Sequence, residues 1–318
     1  MSQSQSKVGK GGGDGPEWVT VVGGNVGQRI DNFLMGQLKG VPRSRIYRML
    51  RRGEVRINGS RCRPGDRLEA GDRVRIPPVA MRQGGGGAPQ KAQEQVLGAF
   101  LFEDEAMAVL NKPAGMAVHS GSGISYGVIE ALRAARSDVA WGLAHRLDRG
   151  TSGCLVVGKG KGPTRALQAA FREDRVTKAY LGLLVGAWAQ GERLVDVPLR
   201  RGPEREGQRA VVPDPRGGQE ASSRFLTLRI FRGYTLVRAE PKTGRTHQIR
   251  VHAQYLGHPL AGDPLYGDPE ANADLKKLGL DRMFLHSAEV GVPHPNGGGK
   301  VEVSASLPRE LKTLLDQL

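Results

Sequence analysis

The chain has 318 residues, with 47 Lys plus Arg against 32 Asp plus Glu and a formal net charge of +15. That length allows two compact domains of roughly 100–200 residues, and the positive excess favours a polyanionic partner, because each neutralised phosphate releases counterions. No run approaches the ~20 apolar residues needed to cross a bilayer, and the Gly- and Ser-rich start lacks the apolar stretch of a signal peptide. Cys62 and Cys154 form neither a CxxC pair nor a disulfide framework. These features argue against a membrane span, a secreted disulfide scaffold and a zinc ribbon, and the expectation is a soluble cytoplasmic protein.

In chain order, residues 1–18 lack hydrophobic periodicity and are expected to form a disordered tail, since they cannot repay the entropy of ordering. A compact module follows over 19–81. Gln28–Leu34 opens a short amphipathic helix, and Val41-Pro42-Arg43-Ser44 leads into a second with Ile46, Met49 and Leu50 on one face and Arg45, Arg48 and Arg52 on the other. Gly53 is placed to end that helix in a left-handed conformation. The alternation in Glu54-Val55-Arg56-Ile57 before Asn58-Gly59 predicts a strand running into a tight hairpin. Between Gln28 and Pro77 there are 13 Lys plus Arg and 5 Asp plus Glu, so this segment carries a net +8 of the whole. Residues 82–96, Gly-rich with one Pro, have the composition of a flexible linker. Beyond it, over 97–318, apolar runs at 106–110, 154–157, 179–185 and 234–239 predict strands, interleaved with helices near 127–136, 164–173 and 246–256. No internal repeat is present.

The common cofactor signatures are absent: no GxxxxGK[ST], GxGxxG or HExxH occurs. The missing Gly-rich nucleotide loop also argues against an RNA methyltransferase. Gly158-Lys159-Gly160-Lys161-Gly162 has the wrong spacing for a phosphate loop and is read as a Gly-rich turn. His247 and His252 stand five apart, which does not align them on one helix face, so no metal site is expected. Four polar, Gly-punctuated segments remain: Asn111-Lys112-Pro113-Ala114-Gly115, Ala144–Gly153, Thr177-Lys178-Ala179-Tyr180, and Lys242–His252. In the second, Asp148 lies between Arg146 and Arg149 in a turn, an arrangement that favours an ionised carboxylate able to attack an electrophilic carbon or move a proton. From spacing alone a structural Arg/Asp turn is the preferred reading.

The segment His145-Arg146-Leu147-Asp148 through Gly153 resembles the HRLDxxTSG motif of the RluA-type pseudouridine synthases. The first segment resembles that family's NKPxG block, and Thr243–His252 its TGRTHQIRVH stretch; Gly262-Asp263-Pro264-Leu265-Tyr266-Gly267 and Leu285-His286-Ser287-Ala288 match further blocks in the family's order. The basic module resembles an S4 RNA-binding domain, and Gly27–Leu34 with Lys39-Gly40-Val41-Pro42 look like the branch acting on large-subunit (23S) ribosomal RNA. The resemblance implies an α+β protein: a pseudouridine synthase fold, with a mixed, mostly antiparallel bent sheet and flanking helices, preceded by a small α/β S4 domain. It implies cofactor-free, metal-free conversion of uridine to its C-glycoside isomer, with no membrane and no obligate protein partner. By the same resemblance Asp148 is the catalytic carboxylate, Tyr180 stacks on the target base, and Arg250 pairs with Asp148. Arg146, Leu285 and His145 then belong to the substrate pocket, Arg146 occupying the space left by a flipped nucleotide. In the S4 module Arg43, Arg45, Arg48, Arg51, Arg52 and Arg56 are suited to phosphate contacts. The alternative is a non-catalytic S4-type ribosome-assembly factor that binds rRNA on a degenerate synthase scaffold.

Overall fold

The structure is a computed structural model that describes residues 15–38, 41, 43–78, 88–121, 124–189, 191–205 and 208–318. Most of the expected tail, Lys39, Gly40 and Pro42, and the 82–87 part of the expected linker lie outside the described residues. The chain divides near Gly87 into two compact units. In the first, the apolar and basic faces read from the sequence become β1 (Glu17–Thr20), α1 (Ile30–Gln37), α2 (Arg43–Arg52), β2 (Arg56–Ile57), β3 (Ser60–Arg61) and β4 (Arg73–Ile76). The strands form an antiparallel sheet in the order β1-β4-β2-β3. Ile30, Phe33 and Leu34 of α1 and Ile46, Met49 and Leu50 of α2 bury their stripe against Val55, Leu68, Val74 and Ile76. Gly53 closes α2 at φ +69°, and Asn58 and Gly59 take φ 49° and 85°, the left-handed pair that a two-residue hairpin requires. β1 begins at Glu17, inside the expected tail, because its edge pairs with β4 from Glu17 to Thr20.

The second unit holds α3 (Gln90–Leu97), β5 (Phe100–Glu103), β6 (Met107–Lys112), α4 (Val128–Ala135), β7 (Trp141–Leu143), β8 (Ser152–Lys159), α5 (Lys161–Arg172) and β9 (Thr177–Val185). It continues with β10 (Glu192–Asp196), β11 (Leu199–Arg205), β12 (Gln208–Pro213), β13 (Ser222–Phe231), β14 (Tyr234–Pro241) and α6 (Gln248–Tyr255). α7 (Pro269–Lys277), β15 (Leu285–Pro293), β16 (Lys300–Ser304) and α8 (Arg309–Gln317) complete it. Among the described residues one large sheet runs β10-β13-β14-β9-β15-β8-β6-β5, with β16 on β15 and β7 on β8, while β11 and β12 form a separate hairpin. The β8–β15 pair is parallel and the other pairs are antiparallel. The α+β class and the mostly antiparallel mixed sheet therefore stand. β8 is central and buried from Ser152 to Gly158, which is why it reads as an uninterrupted apolar run.

The expected linker is too long at its C-terminal end. Ala92 and Val96 of α3, with Ala88 just before its start, recur at four-residue spacing and pack into the same core as Leu110, Val128 and Leu132. The Gly-rich run at 158–162 is a strand-to-helix turn, with Gly160 at φ +87° preceding α5.

Candidate active site

Three neighbouring strands at the middle of the large sheet bring distant segments together. Asp148 lies in the loop entering β8, Tyr180 on β9 pairs with Ser287 on β15, and Leu285 begins β15. They line a cavity of about 350 Å³ whose wall also includes His145, Arg146, Phe171, Lys178, His247 and Arg250. That volume lies within the roughly 300–1,000 Å³ usual for small-ligand sites.

The loop bearing Asp148 is fastened from below. Leu147 is buried in the core, and Thr151 N–H donates to the Asp148 carbonyl at 3.1 Å. The Asn111–Gly115 segment braces it: Gly115 N–H donates to Arg149 O, and Arg149 Nε donates back to Gly115 O, each at 2.8 Å. Lys112, buried, spends its Nζ on the carbonyls of Pro113, Met116 and Arg149 at 2.9, 2.7 and 3.3 Å. Burial pushes its ammonium down to about 7, with Arg282 adding to the fall and Asp148 opposing it. Lys112 thus ties two of the sequence motifs together.

The cation on Asp148 comes from another part of the chain. Arg250 Nη1 donates to Asp148 Oδ2 at 3.2 Å across 102 residues of sequence. The side chain of Arg250 is 6 % exposed and that of Asp148 19 %. The expectation that Arg146 and Arg149 hold the carboxylate is corrected: Arg149 is engaged with Gly115, and Arg146 is exposed at the cavity wall. A second carboxylate completes the arrangement. Asp263, whose side chain is 0 % exposed, accepts from Arg250 Nε at 2.7 Å and Nη2 at 2.8 Å. Its Oδ1 also accepts the N–H groups of Leu265 and Tyr266 at 2.9 and 3.1 Å. Burial lowers the pKa of Arg250, but the hydrogen bonds and charges of Asp263 and Asp148 outweigh it, so the guanidinium is held charged.

The Thr243–His252 stretch is built as a rigid turn into α6. Gln248 is buried with its amide fully used: Oε1 accepts from Thr243 Oγ1 at 2.7 Å and Arg245 N at 2.9 Å, and Nε2 donates to Ser222 O and Ser223 Oγ, both at 2.9 Å. His252 lies 2.9 Å from Ser223 Oγ and 3.0 Å from Val197 O, inside the structure. His247 precedes the helix at φ 54°, ψ 18°, a left-handed conformation that costs a non-glycine residue roughly 1–2 kcal/mol. This turn aims the imidazole at the cavity, with Nε2 3.8 Å from Asp148 Oδ2. Among the described residues no cluster of His, Cys, Asp and Glu could hold a metal ion.

Tyr180 is buried, and burial pushes its phenol up to about 12, with a hydrogen bond to the Ser287 side chain opposing the rise. Leu285 is buried at the cavity wall beside it. His145 stacks on Phe171 with ring centroids 4.2 Å apart, and its Nε2 accepts the Val156 N–H at 3.0 Å. Burial pushes its pKa down to about 3, so it is a neutral acceptor. Asp148, Tyr180, Arg250, Arg146, Leu285 and His145 all line this one cavity. His247, Asp263, Lys112 and Tyr266 are the additional residues, and each lay within a motif block already quoted. The unused signal was that those blocks must meet in space.

In the first unit, Arg48, Arg51, Arg52 and Arg56 are exposed. Glu54 partly neutralises Arg45 and Arg52, at 3.4 and 3.8 Å, and Arg56 Nη1 donates to Gly59 O at 3.1 Å. Arg43 opens α2, and its side chain lies outside the described residues.

Residues 106–255 match the family model for RNA pseudouridylate synthase, and residues 28–74 match that for the S4 domain. The protein named ribosomal large subunit pseudouridine synthase C in Pasteurella multocida is 45 % identical over 305 residues, covering 94 % of this chain and 93 % of that one. Its counterpart of the same name in Escherichia coli K12 is 46 % identical over 306 residues, covering 94 % and 96 %. The chain belongs to the RNA pseudouridylate synthase family. Two human structures are similar to this pseudouridylate synthase. RNA pseudouridylate synthase domain containing 4 has 25 % identity and a TM-score of 0.58 over 71 % of this chain and 94 % of its own. Domain containing 1 has 27 % identity and a TM-score of 0.56 over 66 % and 83 %. The synthase match includes Asp148, Tyr180, His247 and Arg250 and ends before Asp263, Tyr266 and Leu285.

Proposed function

We propose that this chain converts uridines of large-subunit (23S) ribosomal RNA to pseudouridine, with Asp148 as the catalytic carboxylate. The observation that carries the assignment is the pairing of a partly exposed Asp148 with a buried, charge-fixed Arg250 at the wall of a nucleotide-sized cavity. One carboxylate is thereby presented to ligand in a fixed orientation. The relatives named for large-subunit rRNA, similar along nearly the whole chain, support the substrate class.

In this reading the N1–C1′ bond of the uridine breaks while Asp148 acts at the ribose, the base turns within the cavity, and C5 joins C1′. The C5 proton leaves to solvent and N1 gains one, so atoms balance without a co-reactant. Tyr180 supplies an aromatic face for the base, and its raised phenol pKa keeps the hydroxyl protonated at neutral pH. Leu285 forms the apolar wall and His145 shapes the cavity as a neutral ring. Arg146, exposed at the cavity wall, is placed to fill the space a flipped nucleotide leaves. A base inside folded RNA must leave its stack at a cost of a few kcal/mol, and the S4 arginines Arg43, Arg45, Arg48, Arg51, Arg52 and Arg56 supply phosphate contacts that offset it.

The test is tritium release from unmodified large-subunit rRNA labelled at uridine C5. Wild-type protein is expected to release it, and Asp148→Asn to release none above background while remaining folded. No release by wild type removes the enzymatic reading and favours an rRNA-binding role; full release by Asp148→Asn removes the residue assignment.

A further inference from the structure

The imidazole of His247 faces Asp148, and its hydrogen-bond partners determine what it can offer there. Val211 N–H on β12 donates to the Tyr266 hydroxyl oxygen at 2.8 Å. His247 Nδ1 lies 2.8 Å from the same oxygen. Tyr266 is buried, and donating its own proton to Nδ1 gives that proton a partner; Nδ1 is then the unprotonated ring nitrogen. The ring proton sits on Nε2, the atom 3.8 Å from Asp148 Oδ2. Burial lowers the pKa of the ring and outweighs the opposing pull of Asp148, so the ring is neutral at neutral pH.

A separation of 3.8 Å is too long for a direct hydrogen bond. It is the right separation for an oxygen placed about 2.8–3.0 Å from both groups, accepting from one and donating to the other. The left-handed backbone at His247 holds the ring in this position, and non-glycine residues keep that conformation only where the surroundings impose it.

We propose that His247 Nε2–H and Asp148 together hold the 2′-hydroxyl of the target ribose. The inference rests on the reading that Asp148 acts at C1′. The 2′-oxygen is carried by C2′, the atom bonded to C1′, so a ribose that brings C1′ to one carboxylate oxygen brings the hydroxyl to the other. The hydroxyl accepts from Nε2–H and donates to Asp148. A deoxyribose leaves the Nε2–H and the carboxylate without that partner, so the pair tells RNA from DNA at the reacting nucleotide.

The experiment uses the full chain and a short rRNA transcript containing a uridine found to be isomerised. The transcript is made with either uridine or 2′-deoxyuridine at that position. Both kcat/KM and Kd are measured, so a deoxy substrate that is not turned over still gives a reading. On the ribose transcript His247→Ala is expected to lose about tenfold or more, and His247→Gln, whose amide N–H reaches toward the Nε2 position, to recover most of the loss. On the deoxy transcript wild type and His247→Ala are expected to agree within about twofold. Each variant is compared with itself on the two sugars, so a loss of folded protein cancels. In ¹⁵N spectra the His247 ring is expected to carry its proton on Nε2. An equal His247→Ala penalty on both sugars, or a proton on Nδ1, overturns this inference while leaving the isomerase reading intact. Absence of any isomerised uridine with wild type overturns the reading beneath it.

Discussion

Arg250 serves two carboxylates in unlike surroundings. Asp263 grips Nε and Nη2 from a fully buried position, which leaves Nη1 directed at Asp148. Asp263 is thus a positioning residue: it acts on the reaction only through the guanidinium it orients. Asp263→Asn removes one buried charge and leaves the other under-compensated, for an expected loss of about 3–5 kcal/mol of stability. In the fraction that folds, kcat should fall about 10²-fold with KM changed much less, since the displaced group is Arg250. Urea unfolding and steady-state kinetics check both parts; wild-type kcat in a folded Asp263→Asn protein excludes the role. At this scale the sequence was informative about Asp148, Tyr180 and Arg250 through their motif blocks, with the Arg250–Asp148 pair implied by the resemblance, and silent about Asp263 as the second partner of Arg250. Local charge suggested Arg146 and Arg149 as partners of Asp148, whereas the actual partner is 102 residues away. His247 was weighed only as a metal ligand, because its place beside Asp148 depends on a left-handed turn that no residue type advertises.

The site depends on how closely two strands approach. Gly153 on β8 has φ +104° and lies against Ser287 of the parallel strand β15, where a side-chain Cβ would overlap the Ser287 carbonyl. Backbone on one side and left-handed geometry on the other leave no room to relax. Gly153→Ala is therefore expected to push β8 from β15, cost about 3 kcal/mol or more, and separate Asp148 from Tyr180 and Leu285. A lower thermal midpoint together with lost tritium release checks this; a variant as stable as wild type contradicts it. β6, β8, β9 and β14 were legible as apolar runs, and α4, α5 and α6 through their periodicity. β13 was not, because its burial alternates at one end and lapses at Leu228–Ile230, so no continuous apolar run marks it. α3 was hidden by a composition of Gln, Lys and Ala beside a Gly-rich segment, although the four-residue spacing of its Ala92 and Val96 was visible.

For the whole molecule, acid sensitivity and the division of labour between the units follow from the same packing. His252 and His286 are wholly enclosed, and burial lowers the pKa of both. Above the unfolded value near 6.5 neither form binds a proton, so they add no pH dependence there. Below it the unfolded chain takes up protons that the folded chain refuses, and stability falls by up to about 2 kcal/mol per histidine at pH 5. The lowered carboxylates, among them Glu289 and Asp104, begin to lose their contribution only as pH drops below their unfolded values near 4, and lose it fully below their lower folded values. A urea midpoint unchanged between pH 7 and 5 contradicts this. Removal of residues 1–87 tests the division of labour. The cut falls before Ala88, so Ala88 and the α3 residues Ala92 and Val96 stay in the core and the second unit should still unfold cooperatively; a cut at residue 98 takes them away and should not yield a stable protein. The truncated chain loses the segment with its net +8, so KM for rRNA should rise and the salt dependence of binding should flatten, because fewer counterions are released. At saturating RNA kcat should stay within a few-fold of the full chain, since the residues around Asp148 all lie in the second unit. A collapse of kcat at saturation would mean that the S4 module takes part in the chemistry, and an unchanged KM and salt slope would mean that its arginines do not hold the RNA.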